Sequence, residues 1–457
     1  MQRLTAADDG KHWSAMANEL TTETRRTGNL IDFDPDTPHV HVTLERSTDG
    51  ISVTVPWSGE DSPYPAWFGT DGSWRRTKSE GRAPRSVPKR LLFQDSHGSV
   101  MLIGCWARGF HSTIDGPGSG TVWSRAAILG VDADVDFDRP HGLQTEISGL
   151  RDWLKVTSWS EETDWEENGL VARIHSLRAP MIEIGTFNGI SFEFRQSWQI
   201  VPDDGRDRIV LLDLVRACSR GTEPVLWEEH LELHRAVRDL LVLSRWRNES
   251  CVAVRAHRED DPLRTLDGKE RGGQWRDVIV PDDDREPPPI GYRSHLIEYQ
   301  DLGPAGIARW IDLRNEFARA LDPVITGIDL DATANTLLAH TGPGIEALGY
   351  LLMLRDGAAP RRAARAILRE RLERVLADID ETVPFDGATW VSKTVETYNG
   401  LKHANRQAPY EVDVANAWRE CVLAVRAWVA LELGVPAEQV TARLKNDPHR
   451  HPYRRRT

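Results

Sequence analysis

The chain has 457 residues, 40% of them hydrophobic and 28% charged, with 57 Lys and Arg against 70 Asp and Glu for a net charge of −13. That length allows two or three domains with ample core, and that charge excludes a general nucleic-acid coat, so any RNA contact has to use a local basic patch. The four cysteines (Cys105, Cys218, Cys251, Cys421) lack paired spacing, which argues against a disulfide framework or a CxxC metal site. The polar start is unlike a secretion signal, and no apolar run approaches the roughly 18 residues that read as a membrane span. The expectation is a cytoplasmic protein with no membrane partner.

The first half reads as strand. His39–Leu44 and Ile51–Val55 alternate with period two around the turn residues Thr48-Asp49-Gly50. The same grammar recurs in Arg90–Phe93 and Val100–Cys105 around Asp95-Ser96-His97-Gly98. Further strands fit Val122–Gly130, Leu170–His175, Met181–Thr186, Ile190–Gln199 and Ile209–Leu214, with Phe187-Asn188-Gly189 as a hairpin turn. One short helix at Ser148–Leu154 puts Leu150, Trp153 and Leu154 on one face. Many short antiparallel strands predict a β-sandwich or barrel-like domain. The 17 Trp include Trp57, Trp67, Trp74, Trp106, Trp123, Trp153, Trp159, Trp165 and Trp198; they read as an aromatic core, with a carbohydrate or base-stacking groove as the alternative.

From Pro224 to Ser244 an apolar stripe predicts a helix. A mixed region follows, with Val252-Ala253-Val254, a turn-rich Asp267–Gly273 and a Pro- and Asp-rich break near 281–292. Six helices are then expected: Ile307–Leu321, Asp331–His340, Gly344–Leu354, Pro360–Ile379, Thr389–Lys402 and Glu411–Leu433. Asp322-Pro323, Gly342-Pro343, Arg355-Asp356-Gly357, Val383-Pro384 and Gly434 with Pro436 punctuate them. Trp418, Val422, Val425 and Val429 make one apolar face on the last, as an up-down bundle requires. The fold class is therefore α+β in two parts, with an N-terminal antiparallel β-rich domain over 1–222, a mixed connection over 223–304, and a C-terminal helical bundle with a basic tail over 305–457.

Chemistry concentrates in Tyr398-Asn399-Gly400-Leu401-Lys402-His403, where a helix gives way to a turn, with Asn405 and Arg406 just beyond. Metal-free RNA cleavage needs a group that exchanges a proton near neutral pH and a cation that takes up charge on the phosphoryl oxygens, and histidine with arginine at close spacing supplies both. Here Tyr398 stands where the arginine would be. Lys402 is a point charge without a guanidinium's fork, Arg406 and Lys393 are neighbouring cations, and Tyr398 could donate a hydrogen bond to phosphate.

The motif is one residue away from the Arg-Asn-x-x-x-His signature of HEPN-type ribonucleases, and the resemblance extends along nearly the whole chain. Gly28-Asn29-Leu30, the strand pair around Ile51 and Leu91–Gly104, Ile147–Leu154, Gly344–Tyr350 and Tyr398–His403 resemble the ApeA-type proteins, an ApeA N-terminal β-domain joined to an ApeA-like HEPN domain. That resemblance implies anti-phage defence of the abortive-infection kind, and a cofactor-free RNase acting on RNA, often as a homodimer through the helical domain. It implies His403 as the catalytic histidine and Asn399 as its polar neighbour; no arginine carries over. The β-domain would sense an unidentified phage-derived trigger. The two readings are an RNA-cutting effector with Lys402 or Arg406 in place of the arginine, and a degenerate HEPN protein that senses, scaffolds or binds a partner.

Other motifs favour blander readings. His230 and His234 are spaced as on a zinc-binding helix, but Leu231 stands where a zincin has Glu and no third ligand is evident. His39 and His41 share a strand face. Asp132, Asp134, Asp136 and Asp138 lack the Gly and Glu of a calcium loop, and Gly116–Gly120 lacks the Lys of a phosphate loop and reads as a loop tip. Glu346, in an apolar helix, needs a partner: it could orient His403 from a neighbouring helix, or cap or pair structurally. Arg361, Arg362, Arg365 and Arg369, and the tail His449–His451 with Arg454–Arg456, are the basic patches.

Overall fold

The computed structural model describes residues 18–58, 62–68, 86–112, 117–166, 169–176, 181–202, 209–265, 267–281 and 295–454. Trp74, Gly116, the acidic Pro-rich stretch from Asp282 to Pro289, Arg455 and Arg456 lie outside the described residues. The chain divides into two compact units. One comprises Met1–Gln144, Glu223–Trp227 and Ala253–Arg285; the other comprises Thr145–Thr222, Glu228–Val252 and Glu286–Thr457. No helix among the described residues is long and apolar enough to cross a membrane.

The elements run in chain order as β1 (Arg25–Ile31), β2 (Val40–Ser47), β3 (Gly50–Trp57), α1 (Pro65–Phe68), β4 (Arg90–Asp95), β5 (Gly98–Ile103), β6 (Trp106–Ser112), β7 (Gly118–Ser124), β8 (Ala126–Leu129), β9 (Gly142–Ile147), α2 (Leu150–Leu154), β10 (Trp159–Glu166), β11 (Gly169–Ser176), β12 (Ile182–Phe187), β13 (Ile190–Pro202), β14 (Ile209–Gly221), α3 (Trp227–Arg245), β15 (Cys251–Arg264) and β16 (Glu270–Ile279). In the first unit hydrogen bonds link β15-β16-β8-β5-β4-β1-β2-β3-β7-β6 in one antiparallel run. The expected turns close its hairpins: Ser47 pairs with Gly50 and Asp95 with Gly98. Inward residues such as Leu44, Val53, Phe93, Leu102 and Val122 share one core with Trp67 and Phe68. Full burial contributes roughly 1.5–3 kcal/mol for each large apolar side chain.

Gly118 and Gly120 correct the loop-tip expectation, because they belong to β7. A Cβ on them would lie 2.6 Å from the Trp57 ring nitrogen and 2.4 Å from the Phe68 ring, so the aromatics occupy the space that side chains would take. Residues 251–264 and 270–279 form longer strands than the short apolar run at 252–254 indicated.

The second unit holds the antiparallel set β12-β13-β14 and the separate hairpin β10-β11. Asn188 and Gly189, with φ of 48° and 81°, make the β12-β13 turn as their types predict. Its C-terminal part is helical: α4 (Tyr299–Glu316), α5 (Ala318–Asp329), α6 (Ala334–Arg355), α7 (Pro360–Arg365), α8 (Leu368–Ile379), α9 (Gly387–Lys402), α10 (Glu411–Glu432) and α11 (Ala437–Lys445). A sheet-rich N-terminal region thus precedes a helical C-terminal one, as patterning predicted. Five boundaries differ. Pro323 lies inside α5, and the break falls at Phe317. Gly342-Pro343 does not end a helix but lies inside α6. An interior proline costs about 3 kcal/mol; buried Leu337, Leu338, Ile345, Leu348 and Leu352 on the same helix offset it. The expected Pro360–Ile379 helix breaks at Ala366-Ile367, where the Glu370 carboxylate accepts the Ile367 N–H at 2.9 Å and starts α8 anew. The chain enters helix again at α4 ahead of the expected start, across a kink at Gly303-Pro304, and Pro436 starts α11 rather than closing the helical region.

Trp153, Trp227, Trp310, Trp390 and Trp428 are fully buried, whereas Trp106, Trp165 and Trp198 are exposed.

Candidate functional site

Helix α9 starts where the Asp386 carboxylate accepts the Thr389 N–H at 2.7 Å, an N-cap that satisfies an otherwise orphaned donor. Trp390, Val391, Thr394, Thr397 and Tyr398 form its buried face. Its outer face carries Lys393, 3.5 Å from Glu396. The helix ends at Lys402. His403 turns extended (φ −118°, ψ 110°), and its N–H is held by Asn399 O at 3.1 Å. Its carbonyl accepts the Arg406 N–H at 3.0 Å, so both sides of its peptide backbone are fixed. Gly400 permits the chain's return past the helix: a Cβ there would lie 3.0 Å from Gln407 O.

The imidazole of His403 is exposed, and no side chain bonds to it among the described residues. Lys402 and Arg406, its neighbours in sequence, are also exposed. Asn399 contributes its backbone carbonyl; its half-buried amide has no hydrogen bond among the described residues.

Tyr398 is different. It is 3% exposed and packs with Leu338, Val414 and Ala417. Its ring fills the space over Gly342, where a Cβ would sit 2.3 Å from Tyr398 Cε2. Burial, then the nearby Glu346 and Cys421, pushes its hydroxyl up to about 12, so it stays a neutral phenol. Its place in the core does not offer the phosphate donor that the sequence suggested. It is instead a platform, with Lys402 Nζ 4.6 Å from its ring centre.

Glu346 has found its partner, and it is not His403. Arg371 Nη1 donates to Glu346 Oε1 at 2.7 Å, and Lys402 Nζ lies 3.9 Å from Glu346 Oε2. Arg371 also donates through Nη2 to Ala363 O and Ala364 O at 3.3 and 3.2 Å, which closes the C-terminal end of α7. Sequence reasoning missed Arg371. The only signal was that Glu346, on an otherwise apolar stretch, required some partner.

The remaining motifs go elsewhere. His230 and His234 are fully buried, and Ser219 Oγ lies 2.8 Å from His230 Nδ1 and 2.7 Å from His234 Nε2. Thr145 Oγ1 is 2.7 Å from His234 Nδ1. Burial, then the neighbouring His230, lowers His234 to about 3, so it is neutral. Both rings serve hydrogen bonds within the core. Asp136 is held by Arg90 at 2.6 Å, and His39 and His41 are exposed. Among the described residues no three His, Cys, Asp or Glu side chains are grouped to hold a metal. In the tail His449 stacks on Trp246 at 3.9 Å, and Asn416 holds the backbone of Tyr453 from both sides.

Two family models match the chain: ApeA N-terminal domain 1 over residues 31–304, and Apea-like HEPN over residues 356–439. No curated protein and no solved structure matches it.

Proposed function

Because the chain belongs to the ApeA N-terminal domain 1 family and carries an ApeA-like HEPN module, we propose that this anti-phage defence protein is an abortive-infection effector whose helical module cuts RNA without a metal. The observation that carries this reading is the exposed His403 imidazole at the end of α9, its backbone fixed at both the N–H and the carbonyl, with Lys402 adjacent. In the reaction His403 accepts the proton of a ribose 2′-hydroxyl. The 2′-oxygen then bonds to the adjacent phosphorus, the P–O5′ bond breaks, and the leaving 5′-oxygen takes a proton from an imidazolium. Lys402 and Arg406 neutralise the phosphoryl oxygens in place of the absent arginine. A homodimer through the helical module would set two His403 side chains on one phosphate, as acid and base. The β-rich region would receive a phage-derived trigger in the cytoplasm.

The test is expression of wild type and His403→Ala in infected cells, with total RNA and phage yield measured. RNA breakdown and protection that both vanish with His403→Ala support the proposal. Protection that persists in the variant without RNA breakdown rejects it.

One observation favours a second reading, in which the module is a degenerate HEPN that senses, scaffolds or gates a partner. Position 398 is a buried tyrosine, and no guanidinium bonds to the imidazole among the described residues.

A further inference from the structure

Several arginines of the helical region are paired. Arg355 meets Glu432 at 2.7 Å, Arg374 meets Asp378 at 2.6 Å, Arg426 meets Asp447 at 2.7 Å and Arg371 meets Glu346 at 2.7 Å. Helix α7 gathers three that are not. The side chains of Arg361, Arg362 and Arg365 are exposed, and among the described residues none has an ion pair or hydrogen bond. Arg361 and Arg365 stand four apart and Arg362 and Arg365 three apart, so their guanidinium groups are neighbours on the helix surface. All three line one shallow cavity of about 700 Å³, with Met353 and Ala366 as its apolar part and Glu370 and Glu373 as its acidic members. Glu370 is already committed to the Ile367 N–H. In a chain with a net charge of −13, three unpaired arginines held together at the like-charge cost invite an anion.

The position of α7 is tied to the site at His403. The Arg371 guanidinium that closes α7 also grips Glu346, whose other oxygen faces Lys402. One guanidinium and one carboxylate therefore separate the arginine helix from the ammonium of Lys402, the residue before His403 in sequence. Guanidinium forks match phosphate oxygens in pairs, and several in a row fit a ligand with phosphates in a row. We infer that Arg361, Arg362 and Arg365 form an exosite that grips the backbone phosphates of a single-stranded RNA whose neighbouring segment reaches His403. This rests on the RNA-cutting reading above and gives it a strand-holding surface outside the motif.

The experiment is fluorescence anisotropy with a labelled single-stranded RNA over a salt series, alongside a cleavage assay, on the full chain. Wild type, R361Q/R362Q/R365Q, R361K/R362K/R365K and H403A are compared, with thermal melts as the folding control. The glutamine triple variant is expected to bind at least about tenfold more weakly and to flatten the slope of log K against log salt by about 2, since each lost phosphate contact on a single strand removes about 0.7. The lysine variant keeps the slope and loses part of the affinity, because charge remains without the fork. H403A is expected to bind as wild type and not to cut. A folded glutamine triple variant with wild-type affinity and slope overturns the exosite. Binding that depends on the three arginines, together with cleavage that is absent or indifferent to H403A, leaves the exosite standing and removes the RNase reading. A wild type that binds no RNA overturns both.

Discussion

Lys402 rests its ammonium 4.6 Å above the ring of Tyr398, so the cation nearest His403 in sequence stands on the residue that replaces the motif arginine. The tyrosine supplies no charge of its own, yet it places one. Glu346 lies 3.9 Å from the same ammonium.

Lys402→Ala and Glu346→Gln should therefore act in opposite directions. On the proposed mechanism the first removes a charge-stabilising group and should lower RNA cleavage by roughly 10²–10³ with little loss of stability, since the side chain is exposed. The second frees Lys402 from its carboxylate and should strengthen RNA binding. Single-turnover cleavage and anisotropy read the two effects, and a parallel change in both variants would refute the arrangement.

Tyr398→Arg restores the motif on paper but puts a guanidinium where a buried ring packs against Gly342. The expected result is a loss of about 2–4 kcal/mol in urea unfolding. Tyr398→Phe should stay within about 1 kcal/mol, because the hydroxyl has no hydrogen-bond partner among the described residues. A fully stable Tyr398→Arg would show that the position opens to solvent.

Gly342→Ala should cost about 1–3 kcal/mol, because the new methyl would sit 2.3 Å from Tyr398 Cε2. Pairing it with Tyr398→Leu should recover part of the loss. A double-mutant cycle with no coupling would mean that the two residues do not share this space.

His234 gives a pH dependence with a definite sign. Its folded value of about 3 lies below the ordinary histidine value near 6.5. Between those values the unfolded chain binds a proton that the folded chain refuses, so stability falls on acidification from about pH 6.5 toward pH 3, by at most about 1.4 kcal/mol per pH unit from this group. Thermal melts from pH 7 to 5 should show the decline. His234→Gln should flatten it while lowering stability at pH 7, since the bonds from this ring to Thr145 and Ser219 are disrupted. An unchanged slope would place the titration elsewhere.

Much of this was legible in the residues. Thr48-Asp49-Gly50 and Phe187-Asn188-Gly189 announced their hairpins because few other types accept those turn conformations. The end of α9 was readable because Asn399-Gly400 leads directly into a polar turn. Arg371 was not, because nothing local links it to Glu346 on another helix. The burial of Tyr398 was hidden for a similar reason: a tyrosine reads as core or surface only once the Gly342 beneath it is known. Pro343 misled because a proline inside a helix survives only through packing from outside its own segment.

Three glycines of α6 meet three neighbours closely. Gly342 faces Tyr398, Gly344 faces Ala320 O and Gly349 faces Arg371 O, each nearer than a Cβ tolerates. Helix α6 thus meets α9, α5 and α8 through glycine hydrogens at these three points. On the proposed reading, drift that adds carbon there pushes α8 and α9 away from α6, so RNA cleavage among descendants of this chain should track the width of that seam as closely as the identity of the charged residues.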